Sequence, residues 1–404
     1  MCSLKHSEVV VVGGGPVGLC TALLLARKGI EVAVFERSLA LDEDLRASTF
    51  HPPTLDMLDS LGVTDRLRDQ GLICPTWQIR MHPDGDRAVF DLSMLAADTG
   101  HPYRLQVEQW KLSKLLLDML KNEPLARVNF GCEVIDIGGN EEGVALTYRR
   151  TDEDGAPHTH RALYLVGADG ARSVVRKTLG CDFAGSTYPE TTLLVTTRFP
   201  FEEYMEDLSN VSYCWKDGGN FSLLKVPGRW RVSLYPREDA SIDEQLTDEA
   251  IEASLQTIVP REEPYDIIER RPYRVHQRIV DTYVKGRIAL VGDAAHLNAP
   301  SGGMGLNGGI HDAFELAVAL FAILREGAGT SRLQLYDRRR RPVARDQIIA
   351  QADANRARMR EKDHGKRREM LARLQAVTQD RDLLRAHLLR TSMIEGLRLS
   401  STIQ

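Results

Sequence analysis

The chain has 404 residues, more than one hydrophobic core usually holds, so two or three subdomains are expected. A composition 43% hydrophobic and 27% charged excludes a disordered or collagenous chain, and a net charge of −5 gives no ground for a nucleic-acid partner. Six widely spaced cysteines, with no C-x-x-C and no Cys/His ligand cluster, read as free thiols in a reducing compartment and as no metal site. The most apolar stretches read, Val9–Val12 and Leu19–Ala26, fall far short of a bilayer span, and the polar Met1–Glu8 lacks the apolar core of a signal peptide. A cytoplasmic protein with no membrane partner is expected.

The chain opens strand–turn–helix–strand: a β-branched run at Glu8–Val12, a turn at Gly13–Gly18, a helix over Leu19–Lys28 and a strand over Glu31–Phe35. Such a unit implies a parallel sheet with a right-handed crossover. Strand-to-turn junctions recur at Leu163–Gly170 and Arg287–Gly292. Between them lie alternating strands at Thr192–Phe199, Val211–Trp215, Phe221–Val226 and Trp230–Tyr235, joined by an excursion at Trp77–Leu92. These predict an inserted, mainly antiparallel sheet. The expected division is a discontinuous nucleotide-binding domain (1–76, 103–186, 276–340), a sheet domain (77–102, 187–275) and a helical tail (341–404). Residues 338–404 carry 17 Lys/Arg against 8 Asp/Glu, and the run Arg338–Arg341 reads as a helix face turned to solvent or to acidic patches of the same chain.

Three motifs carry chemistry. Gly13-Gly14-Gly15-Pro16-Val17-Gly18 satisfies G-x-G-x-x-G directly after a strand. Gly13 permits the turn, Gly15 a close pyrophosphate, and Gly18 close helix–strand packing. Pro16 and Val17 lie in the turn, the helix N-terminus that follows offers free N–H groups to phosphate, and Glu36, with Arg37 beside it, ends the second strand where a carboxylate can take ribose hydroxyls. Together these indicate an adenine dinucleotide. The second motif is Gly167-Ala168-Asp169-Gly170-Ala171-Arg172-Ser173. The third runs Gly292-Asp293-Ala294-Ala295-His296 and then Pro300-Ser301-Gly302-Gly303-Met304-Gly305-Leu306-Asn307. There Asp293 can bind a ribityl hydroxyl, and the glycines open a helix with bare amides suited to negative charge on a ring edge.

In this order and spacing the motifs resemble the single-component FAD-dependent aromatic hydroxylases typified by para-hydroxybenzoate hydroxylase, over roughly residues 7–345. The resemblance implies an α/β fold: a Rossmann-like FAD-binding domain, an inserted mainly antiparallel β substrate domain and a helical C-terminus. It implies non-covalent FAD, with NADH or NADPH as co-substrate, and O₂ and a small phenol or hydroxylated N-heteroaromatic as reactants. The ring would be hydroxylated through a flavin C4a-hydroperoxide. By the same resemblance Glu36 binds ribose, Arg46 lies beside the flavin and pyrophosphate, and Gln109 and Val134 contact FAD. Asp169 and Arg172 belong to the motif shared by FAD and nicotinamide, Asp293 holds the ribityl chain, and Gly303, Gly305, Leu306 and Asn307 meet the isoalloxazine edge. Pro300 flanks the reactive position of the substrate. No second G-x-G-x-x-G unit with its strand and acid is present, which fits a nicotinamide cofactor that docks transiently.

Candidate pocket residues are Pro300, Thr49, Tyr213 and Trp215, with Arg231, Ser233 and Tyr235 on a neighbouring strand face. Pro300, Tyr213 and His51 are the catalytic candidates; His82 and His101 are other proton-relay candidates, and His296 reads as structural. Two departures bear on substrate and cofactor: no Arg occurs between Lys216 and Gly228, where the type enzyme holds a benzoate carboxylate, and His276 stands where a cofactor-associated Arg aligns. The Trp-x-Trp-x-x-Pro element of flavin halogenases is missing. A flavin-dependent reductase or oxidase, or a non-catalytic flavin-binding regulator, is the alternative on this fold, and homodimer formation is left open.

Overall fold

The computed structural model describes residues 6–43, 47–152, 155–235 and 241–404. Its first sheet places Ile288–Leu290, His158–Gly167, His6–Val12, Val32–Phe35 and Ala126–Asn129 side by side, all parallel. Val9–Val12 and Val32–Phe35 are wholly buried because helices cover them. The helix Pro16–Arg27 packs on the long helix Gly305–Arg325 and on Gln109–Leu120. It starts three residues before the expected Leu19 because Pro16 occupies its first turn, where a missing N–H costs nothing. The helix Gly305–Arg325 is long and apolar enough to span a bilayer, but 72% of its apolar window is buried inside this domain.

The second sheet runs in the order His296–Leu297, Ile267–Val280, Phe183–Thr197, Arg229–Leu234, Gly219–Val226, Val211–Lys216, Thr76–Met81, Arg87–Asp91. Every pairing is antiparallel except that of Val211–Lys216 with Thr76–Met81, where Ser212 lies opposite Gln78. One part of the sheet buries Val195, Phe221, Trp230 and Val232 under Ile251 and Leu255 of the helix Asp248–Gln256. Another part, carrying Trp77, Phe90, Val211 and Trp215, is closed by the C-terminal helices through Met359, Leu371, Leu374, Leu388 and Ile394. The tail is therefore part of the sheet's core.

The arginine run is spent internally. Arg339 pairs with Glu315 (2.8 Å), Arg340 with buried Asp312 (2.8 Å) and Arg341 with Asp337 (2.9 Å), while Arg338 reaches the Gln404 carbonyl (3.3 Å). Just after Pro342 the helix widens to a π-type turn over Ala344–Ile349, as expected where proline removes a ladder N–H. A third, three-stranded sheet of Thr49–Phe50, Arg104–Gln106 and Leu72–Cys74 has no counterpart among the sequence-based expectations. Its strands are too short to show periodicity.

Candidate active site

The three motifs leave the C-terminal ends of three adjacent parallel strands. Val12 lies opposite Gly167, and Gly167 opposite Leu290, so the following turns share one edge of the sheet, where α/β folds bind ligands. They also touch. Gly13 has φ +108°, and a Cβ there would meet the Ala168 carbonyl oxygen at 2.4 Å, while Val17 packs against Gly292 and Gly309. The Glu36 carboxylate accepts the Gly14 N–H (2.7 Å) and the Ser38 N–H (2.8 Å), which sets it at the mouth of the first turn.

Two helices begin here without side-chain caps. Gly15 precedes Pro16–Arg27 with open space around its Cα, and Met304 precedes Gly305–Arg325. Uncapped N–H groups carry the positive end of the helix dipole. One suits a pyrophosphate, the other an anionic ring edge. An open cradle at Gly15 and a carboxylate at Glu36 are what a dinucleotide flavin requires, so the residues fit FAD.

Beneath the third motif lies a buried polar network. Asp312 accepts Arg340 Nε on Oδ1 (2.8 Å), and on Oδ2 it meets His296 Nε2 (2.8 Å) and the Gly292 N–H (3.1 Å). Burial alone would raise the Asp312 pKa, but Arg340 and His296 outweigh it and hold the carboxyl below its ordinary value. His296 is structural, as expected, and its ring stacks with Tyr283 at 6.0 Å.

The pocket-side loop is tied to the small third sheet. Asn307, fully buried, donates to the carbonyls of Thr49 (2.9 Å) and Gly303 (2.7 Å) and accepts the His51 N–H (2.9 Å). Its amide therefore braces the loop from inside. Gly303 is pressed so closely on Thr49 that a Cβ would meet Thr49 Cβ at 2.8 Å, and Gln106 Nε2 donates to Thr49 Oγ1 (2.9 Å). His51 Nε2 lies 2.8 Å from the Gly302 carbonyl, which can only accept, so the proton is on Nε2 and Nδ1 is a bare acceptor. Burial, then Arg104, pushes the His51 pKa down to about 3, so the ring is neutral.

Arg104, missed from sequence, is the most unusual side chain here. It is 3% exposed; among the described residues its Nε and Nη1 have no hydrogen-bond partner and no carboxylate acts on it, and its neighbours are Tyr213, Cys74 and the Trp77 ring, 5.0 Å from the guanidinium. Nothing local in Tyr103-Arg104-Leu105 signals burial. Tyr213 is half-buried beside it, near Tyr235 and Tyr273. Burial pushes the Tyr273 hydroxyl up to about 12, so it stays a donor. Arg231 donates to Ser48 Oγ (2.9 Å), and Arg229 reaches buried Glu108 (2.5 Å), which pins the second sheet to the first domain.

The remaining expected residues are placed as follows. Trp215 is wholly buried, its Nε1 donates to the Arg358 carbonyl (3.2 Å), and it packs in the core closed by the C-terminal helices. Asp169 spends its carboxylate on Ser173 Oγ (2.5 Å) and on the Val174 and Val175 N–H groups (2.6 and 3.1 Å). It orders the turn before the helix Val174–Thr178. Pro300, Asp293 and Arg37 are exposed, Leu306 is half-buried, Gln109 begins its helix, and Val134 is buried opposite Tyr148. His101 pairs with Asp56 (2.8 Å), and His276 lies 3.0 Å from Thr187 Oγ1. Arg46 lies outside the described residues. The thiols of Cys20 and Cys214 are pushed up to about 12 by burial, which leaves them unreactive.

This fold and site define an FAD-dependent aromatic monooxygenase. Residues 6–352 match the family described as FAD binding domain, and the chain belongs to it. It is 33% identical over 395 residues to para-nitrophenol 4-monooxygenase of Pseudomonas sp. (strain WBC-3), covering 97% of this chain and 96% of that protein. It is also 33% identical over 353 residues to 6-hydroxy-3-succinoylpyridine 3-monooxygenase HspB of Pseudomonas putida (strain DSM 28022 / S16), covering 84% and 86%. The crystal structure of p-nitrophenol 4-monooxygenase PnpA from Pseudomonas putida DLL-E4 superposes with a TM-score of 0.90 at 32% identity, covering 98% of this chain and 99% of that one.

Proposed function

We propose that the protein hydroxylates a small phenol or hydroxylated N-heteroaromatic, consuming O₂ and NADH or NADPH. The observation that carries this is Arg104, a buried guanidinium beside Tyr213 on which no carboxylate acts among the described residues, near enough to His51 to influence its ring. Two relatives, named for a nitrophenol and a hydroxypyridine, act on rings whose hydroxyl is acidic, and this supports the same substrate class here.

Bound FAD supplies the electron transfer and oxygen activation. The chain's own residues do the rest. Arg104 meets the ring hydroxyl and favours its anionic form, since an opposite charge lowers a neighbouring acid's pKa. Tyr273, held protonated by burial, donates to a substrate oxygen, and the Tyr213 hydroxyl faces the same side. His51, neutral and bound to Gly302, holds the loop rather than taking the substrate proton. Pro300, at the loop's outer edge, excludes water from the reacting position. The segments 77–102 and 187–275 serve as the substrate wall.

An NADH and NADPH oxidation screen across phenols, hydroxybenzoates and hydroxypyridines, with product identification, tests the proposal. An oxygenated product with one ring class supports it. Hydrogen peroxide as the sole oxygen product with every aromatic favours an oxidase or reductase instead.

A further inference from the structure

A cavity of about 780 Å³, a size that suits a small molecule, opens on the second sheet, and none of its lining residues belongs to the three motifs. Its walls are residues 82–87, 204–206, 216–217 and 257–260, with Arg80 among them. Arg80 lies opposite Cys214 where Thr76–Met81 pairs with Val211–Lys216. Side chains alternate along both strands, so Arg80 and Cys214 share the face covered by the helix Asp248–Gln256, while Trp77 and Tyr213 take the other. The Arg104 guanidinium lies over the Trp77 ring at 5.0 Å, on that other face. The sheet therefore stands between this cavity and the substrate side.

Arg80 is 4% exposed, and its Nε has no hydrogen-bond partner among the described residues. Its Nη1 donates to the Glu206 carbonyl (3.1 Å), and its Nη2 lies 3.3 Å from where a Cβ would stand on Gly85. The guanidinium thus sits between two walls of the cavity. A second cation, half-buried Lys216, donates to the Thr257 hydroxyl and so joins the other two walls. Neither cation forms an ion pair among the described residues. The acids nearby are engaged or exposed: Asp84 and Asp86 pair with Arg368 of the helix His364–Gln379 (2.8 and 3.4 Å), while Glu206 and Asp217 face water. Arg87 pairs with Asp207. A buried guanidinium without a counter-charge costs stability, and an arriving oxyanion offsets that cost through charge-assisted hydrogen bonds.

We propose that this cavity is a second binding site, for a small organic carboxylate. Arg80 and Lys216 hold its oxygens, and its apolar body rests on Pro83, Val259 and Pro260. Pro83 and Pro260 are exposed there, and the Tyr204 ring beside them is 59% exposed, so the walls offer apolar surface next to the two cations. The site is separate from the ring hydroxylation proposed above and does not depend on it.

The test uses the FAD-loaded protein with 4-fluorobenzoate, which lacks a ring hydroxyl, and its neutral match 4-fluorobenzamide. Dissociation constants are read from the fluorine NMR signal of each probe. In the wild type the acid is expected to bind about tenfold or more tightly than the amide, the scale of a charge-assisted hydrogen bond. Arg80→Met should bring that ratio to near one, and Arg80→Lys should retain most of it. Lys216→Met, at a half-buried position, should lower the ratio several-fold, and it carries the test if Arg80→Met fails to fold. Arg104→Met, altered on the opposite face of the sheet, should leave the ratio unchanged. Equal binding of acid and amide in the wild type, or no binding of either, overturns the proposal. So does a ratio undiminished in Arg80→Met or Lys216→Met, or one abolished by Arg104→Met.

Discussion

Asp312 and Arg340 meet at 2.8 Å in the interior, and through that contact the tail's arginine run supports the turn of the third motif. Both side chains are essentially unexposed, and the other Asp312 oxygen holds His296 and the Gly292 N–H. Removing one partner of such a pair leaves a buried charge uncompensated, at about 3–5 kcal/mol. Arg340→Met should therefore lower unfolding free energy by that amount and weaken FAD binding as well. A denaturant titration and a flavin-release assay check it; a variant as stable as wild type would show that the network is idle.

Gly15 separates fold from cofactor. Its surroundings are open and its backbone is ordinary, with φ −74°, so an alanine fits the chain without FAD. The added methyl lies where a pyrophosphate must approach, and Gly15→Ala should weaken FAD about ten- to a hundred-fold while apoprotein stability changes by less than about 0.5 kcal/mol. Gly13→Ala should instead destabilise the fold, because its Cβ would strike the Ala168 carbonyl. Equal FAD affinity in wild type and Gly15→Ala would remove the first motif from the cofactor site.

Acid sensitivity follows from His51. Its folded pKa, about 3, lies below the ordinary value, so between pH 6.5 and about 3 the unfolded chain binds a proton that the folded chain refuses. Stability is complete above pH 6.5 and is lost as pH falls through that window, by about 1.4 kcal/mol per pH unit for this one group. Urea unfolding at pH 7 and pH 5 should show the loss, and His51→Gln should reduce it. An unchanged slope in the variant would place the titrating group elsewhere.

Pro300 tests coupling. Pro300→Gly should retain FAD yet raise the hydrogen peroxide formed per NAD(P)H consumed, since a wider rim admits water to the oxygen-transfer position. Peroxide yield is measured with a confirmed substrate in both proteins. Low, equal yields would move the reacting position away from the loop.

The nucleotide-binding half was legible because its determinants are contiguous. Val9–Val12, the glycines through Gly18 and Glu36 form a strand, a turn and an acid whose chemistry is local, and the turns at Gly167 and Gly292 repeat the pattern. The first helix begins earlier than expected because Pro16 suits its first turn, and the strand His158–Gly167 begins earlier than Leu163 because it also pairs with Val144–Arg150. Pocket residues were read less well. Tyr213 and Trp215 share a strand face by alternation, yet the C-terminal helices bury Trp215 and leave Tyr213 beside Arg104. Sequence by itself determined the parallel sheet, its three glycine turns and the family they define. Only the tertiary structure decided that Arg104 lies buried beside Tyr213, 109 positions along the chain. Burial of a charge depends on which distant segments close over it, and no local pattern records that.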